Sequence, residues 1–164
     1  MVGKDCARKW TLSEIVLLDT SIYLNVLDVP GFNQHRISVL SGFDVRIKNS
    51  DYFFLPLVTI LETGNHVGNL SDGNRRREFS IKLVADVSKA INGEVPYRAT
   101  KFPSREEFSK WITDFSENHH GISLGDHFII KEWERACKIH KMSRVRIWSL
   151  DDHLSGYEWS PTRK

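Results

Sequence analysis

The sequence predicts an α/β fold of three layers, α/β/α, around a mainly parallel central sheet. Three observations lead there. Ile15–Leu18, Tyr52–Val58 and Arg144–Trp148 are short strand-like runs, the first two nearly continuous in apolar residues, as in strands buried on both faces. Segments with apolar residues at helical spacing separate them. Strands alternating with helices require right-handed crossovers and hence parallel neighbours.

The first element, Ile15–Leu18, stops at Asp19, and Thr20 or Ser21 is positioned to cap a helix running to about Leu27, before the Pro30-Gly31 turn. From Asn33 to about Ser50, Ile37, Leu40 and Phe43 recur at helical spacing, while Val45 and Ile47 alternate. The Tyr52–Val58 run is interrupted by Pro56, which suits a strand end, and a helix beginning near Thr59 brings Glu62 into its first turn. Ser71 or Asp72 opens a helix that Asn92-Gly93 closes, with Phe79, Leu83, Val84, Val87, Ala90 and Ile91 on one face. Val95–Pro103 reads as a loop. Ser104 and Glu107 form a capping box before Phe108, Trp111, Ile112 and Phe115, in a helix ending near Asn118. Ser123 caps a longer helix with Leu124, Phe128, Ile129, Trp133, Ala136 and Cys137 inward and Asp126 in its first turn. The last strand ends in Ser149-Leu150-Asp151-Asp152.

Composition bounds the function. The chain has 164 residues, 40% hydrophobic and 27% charged, which suits one folded domain and excludes intrinsic disorder. No repeat, low-complexity tract or interdomain linker divides it. No stretch approaches the ~18 apolar residues of a membrane span, and Met1–Trp10 lacks the apolar core of a signal peptide. A soluble, cytoplasmic protein is expected. Cys6 and Cys137 match neither a zinc pattern nor a disulfide framework. Lys and Arg number 23 against 21 Asp and Glu, which argues against binding nucleic acid by bulk charge. The mild basic excess lies C-terminally, in Lys131, Lys138, Lys141, Arg144 and Arg146, where a solvated helix face explains it.

Chemistry gathers at one structural address. Asp19 ends a strand, Glu62 and Asp126 stand in first helical turns, and Asp151 or Asp152 comes just after the last strand. In an open parallel sheet such positions converge on one edge. Each acid alone has an ordinary reading as a cap or turn residue; the set is the signal. Convergent carboxylates repel unless a cation neutralises them, and oxygen ligands suit Mg²⁺ or Mn²⁺. Such an ion acidifies water and neutralises charge on a scissile phosphate.

On these residues the chain resembles the PIN-domain nucleases, the family that includes the VapC-type toxins of toxin–antitoxin systems. The resemblance rests on Ile15-Val16-Leu17-Leu18-Asp19-Thr20-Ser21, Phe54-Leu55-Pro56-Leu57-Val58-Thr59-Ile60-Leu61-Glu62, Ser123-Leu124-Gly125-Asp126 and Ile147-Trp148-Ser149-Leu150-Asp151-Asp152-His153-Leu154, in the family's order. It implies a PIN-like domain over residues 15–155, with an N-terminal extension at 1–14 and a tail at 156–164. It further implies an Mg²⁺- or Mn²⁺-dependent endoribonuclease with Asp19, Glu62, Asp126 and Asp151 as catalytic metal ligands. Ser149 would support the metal site, Thr20 would orient Asp19, and Asp152 is the alternative fourth acid. The partners implied are RNA and a small antitoxin protein, and the apolar helix faces suit a homodimer. The long stretch before Asp19 and the long interval from Glu62 to Asp126 depart from the smallest family members.

Other readings of individual residues stand beside it. Asn65 and His66, just beyond Glu62, are candidate RNA contacts or a plain polar helix face. Arg75, Arg76 and Arg77 are candidate backbone contacts or solvated cations. A zinc site would need His119, His120, His127 or His153 gathered with a carboxylate, and no helical histidine pair exists. Trp111 and Trp133 read as core. A PIN-like RNA-binding or assembly module without turnover is the alternative function. A phosphatase of the haloacid dehalogenase type needs a second Asp two residues after Asp19, and Ser21 stands there.

Overall fold

A computed structural model describes residues 13–117 and 121–161. The readings that concern residues 1–12 (Cys6 included), the helix end near Asn118, His119-His120 and residues 162–164 lie outside the described residues.

The architecture is three-layered, with five strands in the order β3-β2-β1-β4-β5. The chain runs β1 (Glu14–Leu18), α1 (Thr20–Leu27), α2 (Arg36–Lys48), β2 (Tyr52–Leu55), α3 (Leu57–Gly68), α4 (Gly73–Asn92), β3 (Tyr97–Ala99), α5 (Arg105–Glu117), α6 (Leu124–Ile139), β4 (Arg144–Trp148), α7 (Asp152–Ser155) and β5 (Glu158–Trp159). The first four strands of that spatial order pair in parallel, with Leu17 beside Phe54 and Leu18 beside Trp148. Only β5 is antiparallel, pairing Glu158 with Arg146.

Alternation along β1 splits the core into two layers, because successive strand side chains face opposite ways. Val16 and Leu18 join Ile22, Tyr23, Val39, Phe53, Leu55, Val67, Phe79 and Leu83 under α1–α4. Ile15 and Leu17 face the other way, with Val145, Phe54 and Trp133 of α6. Trp111, on α5, is buried.

Several boundaries differ from those the sequence suggests. Asp19 itself caps α1, its side chain accepting from the Ser21 amide, so neither Thr20 nor Ser21 is the cap. Pro56 occupies the N-cap of α3, which starts at Leu57 and places Glu62 in the second turn rather than the first. The α2 helix is continuous through Val45 and Ile47, but its inward residues are Val39 and Phe43, whereas Ile37 is 88% exposed. Val84 and Ile91 likewise leave the buried face of α4. The Val95–Pro103 stretch contains the edge strand β3, whose three residues are too short to show a period. The capping boxes at Ser104–Glu107 and Ser123–Asp126 both form. Residues 158–159, in the segment set apart as a tail, supply β5.

Of the C-terminal basic residues, Lys131, Arg144 and Arg146 are engaged in ion pairs. Glu14 meets Arg146 at 2.6 Å, Arg144 at 3.2 Å and Arg46 at 3.5 Å. Lys131 meets Asp114 at 3.0 Å.

Candidate active site

The C-terminal ends of β1 and β4 lie side by side, and the segments leaving them wrap around Asp19. Its Oδ2 accepts from the Ser21 hydroxyl at 2.7 Å, the Ser149 hydroxyl at 2.8 Å and the Ser21 amide at 3.2 Å. Each serine also accepts from backbone: Ser21 Oγ from the Leu150 amide, Ser149 Oγ from the Asp151 amide. A hydroxyl has one proton to donate. Both serines therefore commit theirs to Asp19 while fastening the loop after β4. None of these bonds uses Asp19 Oδ1, and the residue is 8% exposed.

Glu62 is placed by three contacts. Thr59, fully buried, donates to the Leu18 carbonyl at 2.8 Å and ties the first turn of α3 to the end of β1. Thr20 Oγ1 donates to Glu62 Oε2 at 2.6 Å. The remaining oxygen lies against the start of α6, where a Cβ built on Gly125 would stand 1.7 Å from Glu62 Oε1. Only glycine admits the carboxylate there. Thr20 thus orients Glu62, and not Asp19 as its sequence position suggests.

The other two acids face the same space from caps. Asp126 closes the capping box of α6, accepting from the Ser123 amide at 3.4 Å. Asp151 caps α7 through the His153 amide at 2.9 Å. Asp19, Glu62, Asp126 and Asp151 all line one open cavity of about 560 Å³, together with Thr20, Ser21, Asn65 and His66. Asp152 does not line it, which separates the two adjacent candidates. No Lys or Arg is among the lining residues, and none of the four acids pairs with a cation among the described residues.

Arg75 and Arg76 are not part of this cavity. Arg75 borders a separate depression with Asp28 and Asn33, and Arg76 donates to the Leu70 carbonyl at 3.0 Å. His127 is buried against α5, its Nε2 2.8 Å from the Trp111 carbonyl, so it is not free to hold zinc. Burial pushes the Cys137 thiol up to about 11, which leaves it protonated at neutral pH.

Sequence reasoning missed Ser21 as an Asp19 ligand and Gly125 as the seat of Glu62. It also missed Asn25 of α1, and Phe32, Gln34 and His35, which the α1–α2 connection brings to the cavity. Gly125 carried a signal: glycine is a poor choice for a helix's first turn unless something occupies the Cβ space.

No protein-family model matches the chain, and no curated protein matches it by sequence. Solved structures do match in shape. VapC20 of Mycobacterium tuberculosis, a toxin that cleaves the sarcin-ricin loop, superposes with a TM-score of 0.55 at 11% identity, covering 91% of this chain and 99% of that one. FitAcB from Neisseria gonorrhoeae gives 0.52 at 18% identity, covering 83% and 87%. FitAB bound to a DNA fragment gives 0.52 at 17% identity, covering 85% and 87%. The chain has a VapC-like PIN fold. Within this PIN fold, the four acids the sequence singles out share one cavity at the carboxyl edge of the sheet. Their donor atoms are all oxygen, the chemistry of a hard divalent ion. Among the described residues no three carboxylate, imidazole or thiol side chains stand close enough to enclose an ion. The oxygen donors suit a hard divalent ion in kind, but the described side chains as placed do not form a closed cage around one.

Proposed function

We propose that the protein is an Mg²⁺- or Mn²⁺-dependent endoribonuclease acting on RNA phosphodiesters at the Asp19–Glu62 cavity. The observation that carries this reading is four carboxylates lining one cleft that contains no lysine or arginine. Such a cleft repels phosphate unless a cation is bound. Asp19, through Oδ1, and Glu62 are the residues that would hold the ion. When bound, it supplies charge neutralisation at the phosphate and a more acidic water. Ser21 and Ser149 fix the Asp19 carboxylate, Thr20 and Gly125 seat Glu62, and Asp126 and Asp151 add negative charge to the cleft. The fold shared with the toxin VapC20 and with FitAB supports a toxin role with a small antitoxin partner; co-expression with a neighbouring small gene and then co-purification tests that pairing.

One observation favours a second reading, an RNA-binding or assembly module without turnover: Asp126 and Asp151 are both drawn into helix caps. A single experiment separates the two. Purified protein is incubated with RNA in Mg²⁺, Mn²⁺ or EDTA beside Asp19→Asn. A nuclease cleaves only with the divalent ion, and the variant loses roughly a hundredfold or more of that rate. Equal cleavage by the variant removes the assignment, and RNA binding without cleavage in any metal selects the second reading.

A further inference from the structure

We propose that Phe32, backed by His66, is a stacking platform for an unpaired nucleobase beside the acidic site. The proposal rests on the ribonuclease reading for the identity of the ligand, but its placement is independent of turnover.

Phe32 lies on the connection between α1 and α2, and that connection is held rather than loose. Asp28 adopts a left-handed conformation at the end of α1, and its Oδ1 accepts from Asn33 Nδ2 at 2.7 Å. Val29 is fully buried. Asn25, 2% exposed, donates to the Ser21 carbonyl and accepts from the His35 amide at 3.0 Å. Arg36 reaches the carbonyls of Asn25 and Val26 at 2.6 and 2.7 Å. A segment fastened at both ends in this way presents Phe32 in one position.

That position is costly for a ring that serves only packing. Phe32 remains 36% exposed and meets His66 with ring centroids 4.5 Å apart. Both rings line the cavity that holds the four acids, with Gln34, His35 and Asn65 supplying hydrogen-bonding groups beside them. The lining contains no lysine or arginine, so apart from a bound cation the cleft has no fixed positive charge with which to hold the phosphates of a nucleic acid. Stacking on an aromatic face adds affinity that neither the acids nor the neighbouring amides supply, and it requires a base not already paired and stacked in a duplex.

The test uses the full chain carrying Asp19→Asn, so that RNA is not consumed, with Mn²⁺ present. The probes are a fluorescently labelled single-stranded oligouridylate and oligoadenylate of about ten nucleotides and a blunt duplex of equal length, the size an aromatic cleft of this kind engages. Phe32→Ala is expected to weaken single-strand binding roughly tenfold or more, Phe32→Leu nearly as much, and Phe32→Tyr little. Duplex binding is weaker and indifferent to all three. Thermal unfolding of each variant confirms that the chain stays folded, and the contrast between Leu and Tyr separates stacking from bulk. Unchanged single-strand affinity in Phe32→Ala, equal losses on duplex, or no single-strand binding by the parent overturns the platform. Binding that depends on Phe32 in a protein whose unsubstituted form never cleaves RNA keeps the platform and removes the nuclease reading; cleavage indifferent to Phe32 does the reverse.

Discussion

Glu62 owes its position to an atom that is missing. A methyl group on Gly125 would meet its carboxylate, and because the obstructing atoms are the tip of a flexible side chain, the expected response is that Glu62 moves while α6 stays intact. Alanine is favoured over glycine in helices by about 1 kcal/mol. Gly125→Ala should therefore leave the thermal midpoint unchanged or higher while cleavage falls roughly a hundredfold, the penalty of misplacing a group by about 1 Å; a parallel melting curve and rate assay check both halves. Glu132 gives a second residue-scale prediction. It is 3% exposed, and its Oε2 has no hydrogen-bond partner, though Arg135 lies 3.8 Å away. Burial, offset by Thr100 and Arg135, raises its carboxyl above the ordinary 4.5. A raised carboxyl favours the folded state fully below 4.5 and loses that contribution as pH rises through its folded value. Urea midpoints measured from about pH 4 to about pH 7 should show this decline for the parent and a flatter profile for Glu132→Gln.

At the scale of elements, caps do two jobs in this chain. Asp19, Asp126 and Asp151 each satisfy helix-start amides and line the cleft, so the helix starts at the carboxyl edge of the sheet deliver the acids to one place. Ser123→Ala removes the bond from the Asp126 amide to the Ser123 hydroxyl and should cost about 1 kcal/mol in urea unfolding, while the backbone amide of residue 123 still donates to the Asp126 carboxylate and the metal-dependence of cleavage is unchanged. An unchanged midpoint would show that the box is energetically silent. The predicted helices exist with the expected caps at Ser104 and Ser123, because caps are local chemistry written in four residues. Their inward faces were less legible: Ile37, Val84 and Ile91 match helical spacing yet face solvent. Periodicity names a helix, but the partner's position decides which stripe of it is covered. Strand β3 was not legible at all, since Tyr97–Ala99 pairs with β2 at the sheet's edge without an apolar pattern of its own.

Across the whole molecule, one hydrogen-bonded hub joins three elements. Tyr23 of α1 and Tyr97 of β3 both donate to Asp86 Oδ2 of α4 at 2.7 Å. Burial, reinforced by the Asp86 hydrogen bond and charge, drives both phenols well above their ordinary 10.0. The folded state resists their ionisation, so stability is intact below 10.0 and falls as pH rises beyond it. Stability of the parent should drop steeply in alkaline urea titrations, and a Tyr23→Phe/Tyr97→Phe double variant should show a smaller slope, although less stable at neutral pH. At the start of β1, Glu14 pairs with Arg46, Arg144 and Arg146, so the last two, read from the sequence as part of a solvated basic face, hold β4 to β1.

By itself the sequence determined the three-layer class, the mainly parallel sheet and a short set of candidate acids. Hydrophobic period, capping residues and strand-end position are local, and Asp19, Glu62, Asp126 and the Asp151-Asp152 pair could be read from them as candidates. Tertiary structure alone decided what holds those acids. Thr20 serves Glu62, Ser21 and Ser149 converge on Asp19 from positions 128 residues apart, Gly125 yields its Cβ space, and Asp151 rather than Asp152 meets the cleft. These are relations between segments distant in the chain. Hydrogen bonds and steric gaps of that kind depend on the register of parallel strands and the packing of helices over them, which no window of neighbouring residues contains.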